Sequence, residues 1–276
     1  MLADYHLHSS HSEDSQAPLE EQIEAGILAG LKYMCFTEHM DKDWPDAQTG
    51  EKTTDHRPFE VDTKAYYEHF LKCREKYKGR MELLFGIEYG FQPHLREHNE
   101  AYIKKYPFDF VIGSLHLLDG VDVYYPDIYE EIGEKEAYRR YFERVLESIC
   151  LFDGYDVYGH IDYIVRYGPK KNEEFFYGDH AEVLEEILAQ LIKRGKGIEI
   201  NTAGFRKLGN APNPGIDILK RYHDLGGEII TVGSDAHEPR YVAAEFERAR
   251  KLLLELGYTH YCIFKERRPE FYDLMI

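Results

Sequence analysis

Residues 226–237 read Gly-Gly-Glu-Ile-Ile-Thr-Val-Gly-Ser-Asp-Ala-His. The run Glu228–Val232, bounded by glycines and rich in β-branched residues, predicts a short buried strand. It passes straight through Gly233-Ser234 into Asp235-Ala236-His237, which places two metal-capable side chains at i and i+2. The N-terminus repeats the arrangement: the predicted strand Leu2–His6 runs into Leu7-His8. Alternate residues of a strand point to the same side, so such a pair can grip one ion.

The pattern recurs along the chain. Tyr33–Thr37 runs into Glu38-His39, and Glu82–Ile87 into Glu88. Phe108–Gly113 runs into Ser114-Leu115-His116, and Asp156–Gly159 into His160-Ile161-Asp162. Gly197–Ile200 carries Glu199 and runs into Asn201. Thr259–Phe264 reads as an extra or irregular strand. Between the runs lie amphipathic stretches. Pro18–Ala29 has Pro at its predicted first helical position and stops at Gly30. Asp179–Lys193 carries Val183, Leu184, Ile187, Leu188 and Leu191 on one face and stops at Gly195. Ile216–Leu225 and Ala243–Leu256 behave similarly. Residues 41–62 lack periodicity and predict a long loop near the site.

Repeated strand–helix units predict a parallel sheet, and seven or eight of them in a chain this long predict an α/β barrel filling residues 1–276. The carboxyl ends of barrel strands meet on one face, where such folds place their chemistry. Gly86, Gly113, Gly159 and Gly233 precede several of the polar residues and are expected to let the backbone turn sharply there.

A lone strand-end His is commonly a hydrogen-bonded residue without a metal. Seven occurrences at one relative position point instead to a shared site, and the chain holds 14 His from which to build it. One zinc takes about four ligands. The donors here exceed that, which favours two or three metals with a carboxylate bridging a pair. Nitrogen and oxygen donors without thiolate suit Zn, Fe or Mn.

Composition narrows the function classes. The balance of 34 Lys plus Arg against 51 Asp plus Glu gives −17, which argues against a nucleic-acid binder. No apolar run is long enough to span a membrane. The N-terminus lacks a basic region followed by an apolar stretch. Cys35, Cys73, Cys150 and Cys262 lie far apart, as expected for reduced, mostly buried thiols in a cytoplasmic protein. Neither a GxSxG nucleophile motif nor a P-loop is present.

The ordered set His6-x-His8, Asp14, Thr37-Glu38-His39, Gly86-Ile87-Glu88, Gly113-Ser114-x-His116, Gly159-His160-x-Asp162 and Gly233-Ser234-Asp235-x-His237 resembles the polymerase and histidinol phosphatase (PHP) superfamily. The stretches Gly159–Tyr167, Glu199–Arg206 and Gly226–His237 look like its histidinol-phosphatase branch. The resemblance implies a distorted seven-stranded (β/α) barrel with a trinuclear site. By matched position, His6, His8, Glu88 and Asp235 would hold the first metal. Glu88 would bridge to a second, held by His116 and His160. Asp14, His39 and His237 would hold the third, with His11 a nearby competitor for the place of Asp14. Glu88, Asp235 and His237 would carry the catalytic roles.

The activity so implied is hydrolysis of a small phosphomonoester, L-histidinol phosphate above others, by in-line attack of a metal-bound hydroxide without a covalent phospho-enzyme. Arg166 and Arg206 follow predicted strands five and six at short intervals and would clamp phosphate with their planar guanidinium forks. Glu38, Asp41, Asp43, Trp44, Asp162 and Asn201 are candidates for the substrate amine and imidazole. Asp162 could alternatively orient a ligand His. The competing expectations are a PHP-type phosphodiesterase or nuclease, a phosphatase for another small phosphomonoester, and a non-catalytic metal-dependent module.

Overall fold

The structure is a computed structural model that describes residues 1–45 and 59–275. Seven strands form a parallel sheet in sequential order: β1 (Ala3–Leu7), β2 (Tyr33–Met40), β3 (Glu82–Gly90), β4 (Phe110–Ser114), β5 (Val157–Tyr158), β6 (Gly197–Asn201) and β7 (Ile230–Gly233). The sheet curls until its two ends meet. Asp235 N donates to His6 O at 2.9 Å and His8 N to Ala236 O at 3.0 Å, closing the barrel at its carboxyl end.

The expected (β/α)7 barrel is therefore present, with shifted boundaries. β2 and β3 run three residues further than the sequence predicted, so Glu38, His39 and Glu88 lie within strands. Their register pairs His39 with Glu88. β5 is only two residues long, and Gly159-His160 follow it directly into the site.

The helices α1 (Leu19–Leu28), α2 (Thr63–Lys76), α3 (Arg96–Lys105), α4 (Asp127–Ile132), α5 (Glu134–Leu151), α6 (Ala181–Lys193), α7 (Ala203–Leu208), α8 (Ile216–Asp224) and α9 (Phe246–Glu255) link the strands or follow them. Pro18 stands one residue before α1, at its cap rather than at its first helical position. Asp62 caps α2 by accepting from Ala65 N at 3.1 Å. Leu184, Ile187, Leu188 and Leu191 of α6 recur at helical spacing and are fully buried. Each such side chain contributes about 1.5–3 kcal/mol by leaving water.

The run Thr259–Phe264 stays outside the barrel. Strand β8 (His260–Lys265) pairs antiparallel with β9 (Arg268–Asp273) in a hairpin. Tyr5 Oη on β1 donates to Phe264 O at 2.9 Å, and the Phe110 and Phe264 rings lie 5.1 Å apart. Arg267 at the hairpin turn pairs with Asp156, just before β5. These contacts seat the hairpin against the end of the barrel opposite the polar residues.

The glycines before the site do a different job from the one expected. None of Gly86, Gly113, Gly159 and Gly233 has positive φ. They permit close approach instead. A Cβ on Gly233 would stand 2.3 Å from His6 Cβ and 2.4 Å from Glu199 Oε1, and one on Gly159 would stand 2.7 Å from Ser114 Oγ. Of the predicted 41–62 loop, Asp41–Pro45 and 59–62 are described, tied by an antiparallel bridge between Met40 and Glu60; residues 46–58 lie outside the described residues.

Candidate metal centre

Glu88 stands at the centre of the polar face, 1% exposed. Its two oxygens face different partners. Oε2 lies 3.2 Å from His6 Nε2, 3.2 Å from His39 Nδ1 and 3.5 Å from His8 Nε2. Oε1 lies 2.9 Å from His160 Nε2 and 3.2 Å from His116 Nε2, and accepts from Ser114 Oγ at 2.7 Å. A carboxylate split in this way is disposed to bridge two cations.

Asp235 divides its oxygens as well. Oδ1 faces His237 Nδ1 at 3.6 Å, His8 Nε2 at 3.7 Å and His6 Nε2 at 3.8 Å. Oδ2 accepts from Arg166 Nη1 at 3.0 Å and Asn201 Nδ2 at 3.2 Å. The backbone of Asp235 takes the left-handed conformation, with φ 53°, which turns the carboxylate inward just past β7. Asp14 lies 3.0 Å from His237 Nε2 and 3.7 Å from His39 Nε2. The His8 ring stacks on those of both His39 and His237, at 4.2 Å from each, and the His39 and His237 rings lie 5.9 Å apart.

All nine proposed donors thus converge. His11 does not join them; its Nε2 lies 3.0 Å from His69 Nδ1. Exposure rises across the cage, from nothing at His6 to 26% at His237 and 40% at Asp14, so the mouth is on the Asp14–His237 side.

Several supporting residues were read for other roles or passed over. Glu199 Oε1 lies 2.6 Å from His6 Nδ1, and its Oε2 accepts from His160 N. Asp41, a candidate for the substrate, lies 2.7 Å from His116 Nδ1 instead. Glu38 is turned away, accepting from the Ser9 and Ser12 hydroxyls at 2.6 Å each. Asp162 accepts from Asn213 Nδ2 at 2.7 Å and Gly215 N at 2.8 Å. Asn213 in turn accepts from Arg166 Nε at 2.6 Å. Asp162 therefore fixes Arg166 through Asn213, and these contacts do not include His160. Asp43 lies 2.9 Å from His94 Nε2. The Trp44 ring stacks near Phe59, 4.3 Å between centroids, and lies 6.3 Å from His116.

The two arginines differ. Arg166 is buried and gives Nε to Asn213, Nη1 to Asp235 and Nη2 to Asn201 at 2.8 Å, which leaves two of its five N–H groups. Arg206 gives Nη2 to Ser234 O at 3.1 Å and lies over the Tyr241 ring at 4.6 Å. Its Nη1 is buried and has no hydrogen-bond partner among the described residues.

The electrostatics match a cation-binding cage. Burial opposes ionisation of Glu88, yet His6, His116 and His39 hold its carboxyl well below the usual range. Asp235 is likewise held low against burial by His6 and Arg166. Burial works against protonation of His116, but Asp41 and Glu88 push its pKa up to about 10. His8, buried among His39, His237 and His6, is pushed well below its ordinary value. So dense a set of carboxylates with neutral and charged imidazoles is balanced by cations more economically than by protons. The orphaned atoms agree: His39 Nδ1 and Asp41 Oδ2 are buried, 3.5 Å apart, and make no hydrogen bond among the described residues. The donor set, imidazole and carboxylate without sulfur, fits Zn, Fe or Mn.

The fold and these residues define a metal-binding α/β-barrel protein. The PHP domain family matches residues 4–203, and the chain belongs to that family. It is 34% identical over 252 residues to a probable histidinol-phosphatase of Clostridium acetobutylicum, covering 91% of this chain and 92% of that one. It is 30% identical over 265 residues to a histidinol-phosphatase of Lactococcus lactis, covering 95% and 93%. A crystal structure of histidinol phosphate phosphatase from Lactococcus lactis, complexed with zinc, L-histidinol and phosphate, matches with a TM-score of 0.87 at 29% identity, over 97% of this chain and 98% of that one. Among the described residues, no helix is long and apolar enough to cross a membrane.

Proposed function

We propose that the chain is a metal-dependent histidinol-phosphatase that converts L-histidinol phosphate and water to L-histidinol and phosphate. The observation that carries this reading is the Glu88 carboxylate, whose oxygens face His6, His8 and His39 on one side and His116 and His160 on the other. Its similarity to the Lactococcus lactis enzyme complexed with zinc, L-histidinol and phosphate supplies the substrate.

In this reading His6, His8, Glu88 and Asp235 hold one ion, Glu88, His116 and His160 a second, and Asp14, His39 and His237 a third. Bound divalent cations supply an activated water and positive charge for the phosphoryl oxygens. The protein contributes geometry. Glu199 and Asp41 fix the rings of His6 and His116, so that their Nε2 atoms face Glu88. Arg206 offers its unpaired Nη1 to a phosphate oxygen, and Arg166 offers the N–H groups not already committed. Asn201 and Asp162 act one step back, by holding Arg166 and Asp235 in place. Trp44 and Phe59, beside His116 and His39, form an aromatic wall suited to an imidazole.

Phosphate release from histidinol phosphate and p-nitrophenyl phosphate, and release of nucleoside and nucleoside monophosphate from a dinucleotide, measured on one metal-loaded preparation, test the proposal. Histidinol phosphate is expected to be the fastest by kcat/KM. Hydrolysis of the dinucleotide with none of histidinol phosphate would overturn it in favour of a phosphodiesterase.

A further inference from the structure

We propose that Glu20, His69 and Cys73 form a separate, thiolate-containing site for a zinc-class cation on the outside of the barrel. The site shares no ligand with the cage around Glu88. His69 and Cys73 stand one turn apart on α2, and Glu20 comes from the first turn of α1. One donor atom from each lies within 4.8 Å of the other two, and His69 Nε2 is 3.3 Å from Glu20 Oε2. An ion with tetrahedral bonds of 2.0–2.3 Å holds its ligand atoms about 3.3–3.8 Å apart. The three donors are therefore close to ligating separation before any ion is present. Cys73 is buried, while the His69 and Glu20 side chains are 34% and 36% exposed, which opens a route from solvent and leaves room for water as a fourth ligand.

His11 completes the arrangement. Its Nε2 lies 3.0 Å from His69 Nδ1. A proton on His69 Nδ1 donated to His11 leaves the Nε2 lone pair facing Glu20, the tautomer a metal requires. On binding, the Cys73 S–H bond breaks, a sulfur–metal bond forms and the proton passes to solvent. Sulfur in the donor set favours zinc or cobalt over manganese or magnesium. An ion here ties α1 to α2. Through His11 it also braces the loop between His8 and Asp14, both of them donors to the cage.

Cobalt titration of the full-length protein tests this directly. The cage contains no sulfur, so a near-ultraviolet thiolate-to-cobalt charge-transfer band reports a site outside it, and Cys73→Ser separates this site from the exposed Cys150. The band is expected to reach the intensity of one thiolate-bound cobalt per chain, whatever further equivalents enter the cage, to survive in His8→Ala, and to disappear in Cys73→Ser and His69→Ala. His11→Ala removes the orienting partner and should weaken binding about 10–100-fold. Circular dichroism confirms folding, and the partly exposed His69 carries the test if Cys73→Ser misfolds. Absence of the band in the wild-type protein, or its persistence in folded Cys73→Ser or His69→Ala, overturns the proposal.

Discussion

Glu199 holds the ring of His6 through a 2.6 Å contact between Oε1 and Nδ1, and so leaves His6 Nε2 as the nitrogen that faces Glu88. The two residues are 193 positions apart in the chain, and both are buried. Glu199→Gln keeps the shape but removes the charge that orients and strengthens His6. Metal affinity should fall about 10–100-fold, with activity rescued at high metal. Equilibrium dialysis with elemental analysis checks this; unchanged metal retention contradicts the role.

The two arginines should separate by readout. Arg206→Ala deletes a cation whose Nη1 has no hydrogen-bond partner among the described residues, so kcat/KM should fall on the order of 100-fold with the melting temperature nearly unchanged. Arg166→Ala strips partners from Asp235, Asn201 and Asn213. Breaking such a buried pair costs about 3–5 kcal/mol, so this variant should also melt roughly 10 °C lower. Kinetics and thermal denaturation on both variants distinguish a clamp from a structural brace. Equal losses of stability would contradict the division.

Gly233→Ala should disable the site without touching a donor. Its new methyl would stand 2.3 Å from His6 Cβ and 2.4 Å from Glu199 Oε1. Overpacking of this kind costs about 1–3 kcal/mol, and relief comes by displacing His6. The expected result is a folded protein with reduced metal content. Full activity would show that the strand yields elsewhere.

Chelation should lower the melting temperature, and metal restored at about 100 times its dissociation constant should return about 2.7 kcal/mol, roughly 5–10 °C. The pH dependence has a defined sign. In the metal-free cage Asp41 and Glu88 outweigh burial and raise His116 to about 10, so its stabilising charge is fully present below the ordinary histidine pKa and is lost as pH rises through about 10. A cation must displace that proton, so uptake near neutral pH should release protons and tighten as pH rises. Titration in weak buffer with a pH indicator detects the release; uptake without it contradicts the protonated state.

The barrel and eight of the nine cage residues were legible because each of those donors sits at or just beyond a strand's carboxyl end, a position that sequence order exposes; Asp14, seven residues past β1, was placed only by the family resemblance. Glu199, Asp41 and Asn213 were not legible in their roles. Their partners lie 193, 75 and 47 residues away, and no local pattern marks a side chain that positions another. Gly233 and Gly159 were legible as special and misread as turns, because a demand for close approach leaves the same glycine as a demand for positive φ. The separation of His11 from Asp14 required α2, which brings His69 to His11.

The most direct test is anomalous diffraction from crystals grown with zinc or manganese. Two or three peaks are expected within the cage, with one ion about 2.0–2.2 Å from each oxygen of Glu88. Peaks confined to the surface, with Glu88, His6 and His116 holding none, would contradict the central claim that these side chains form one cation cage.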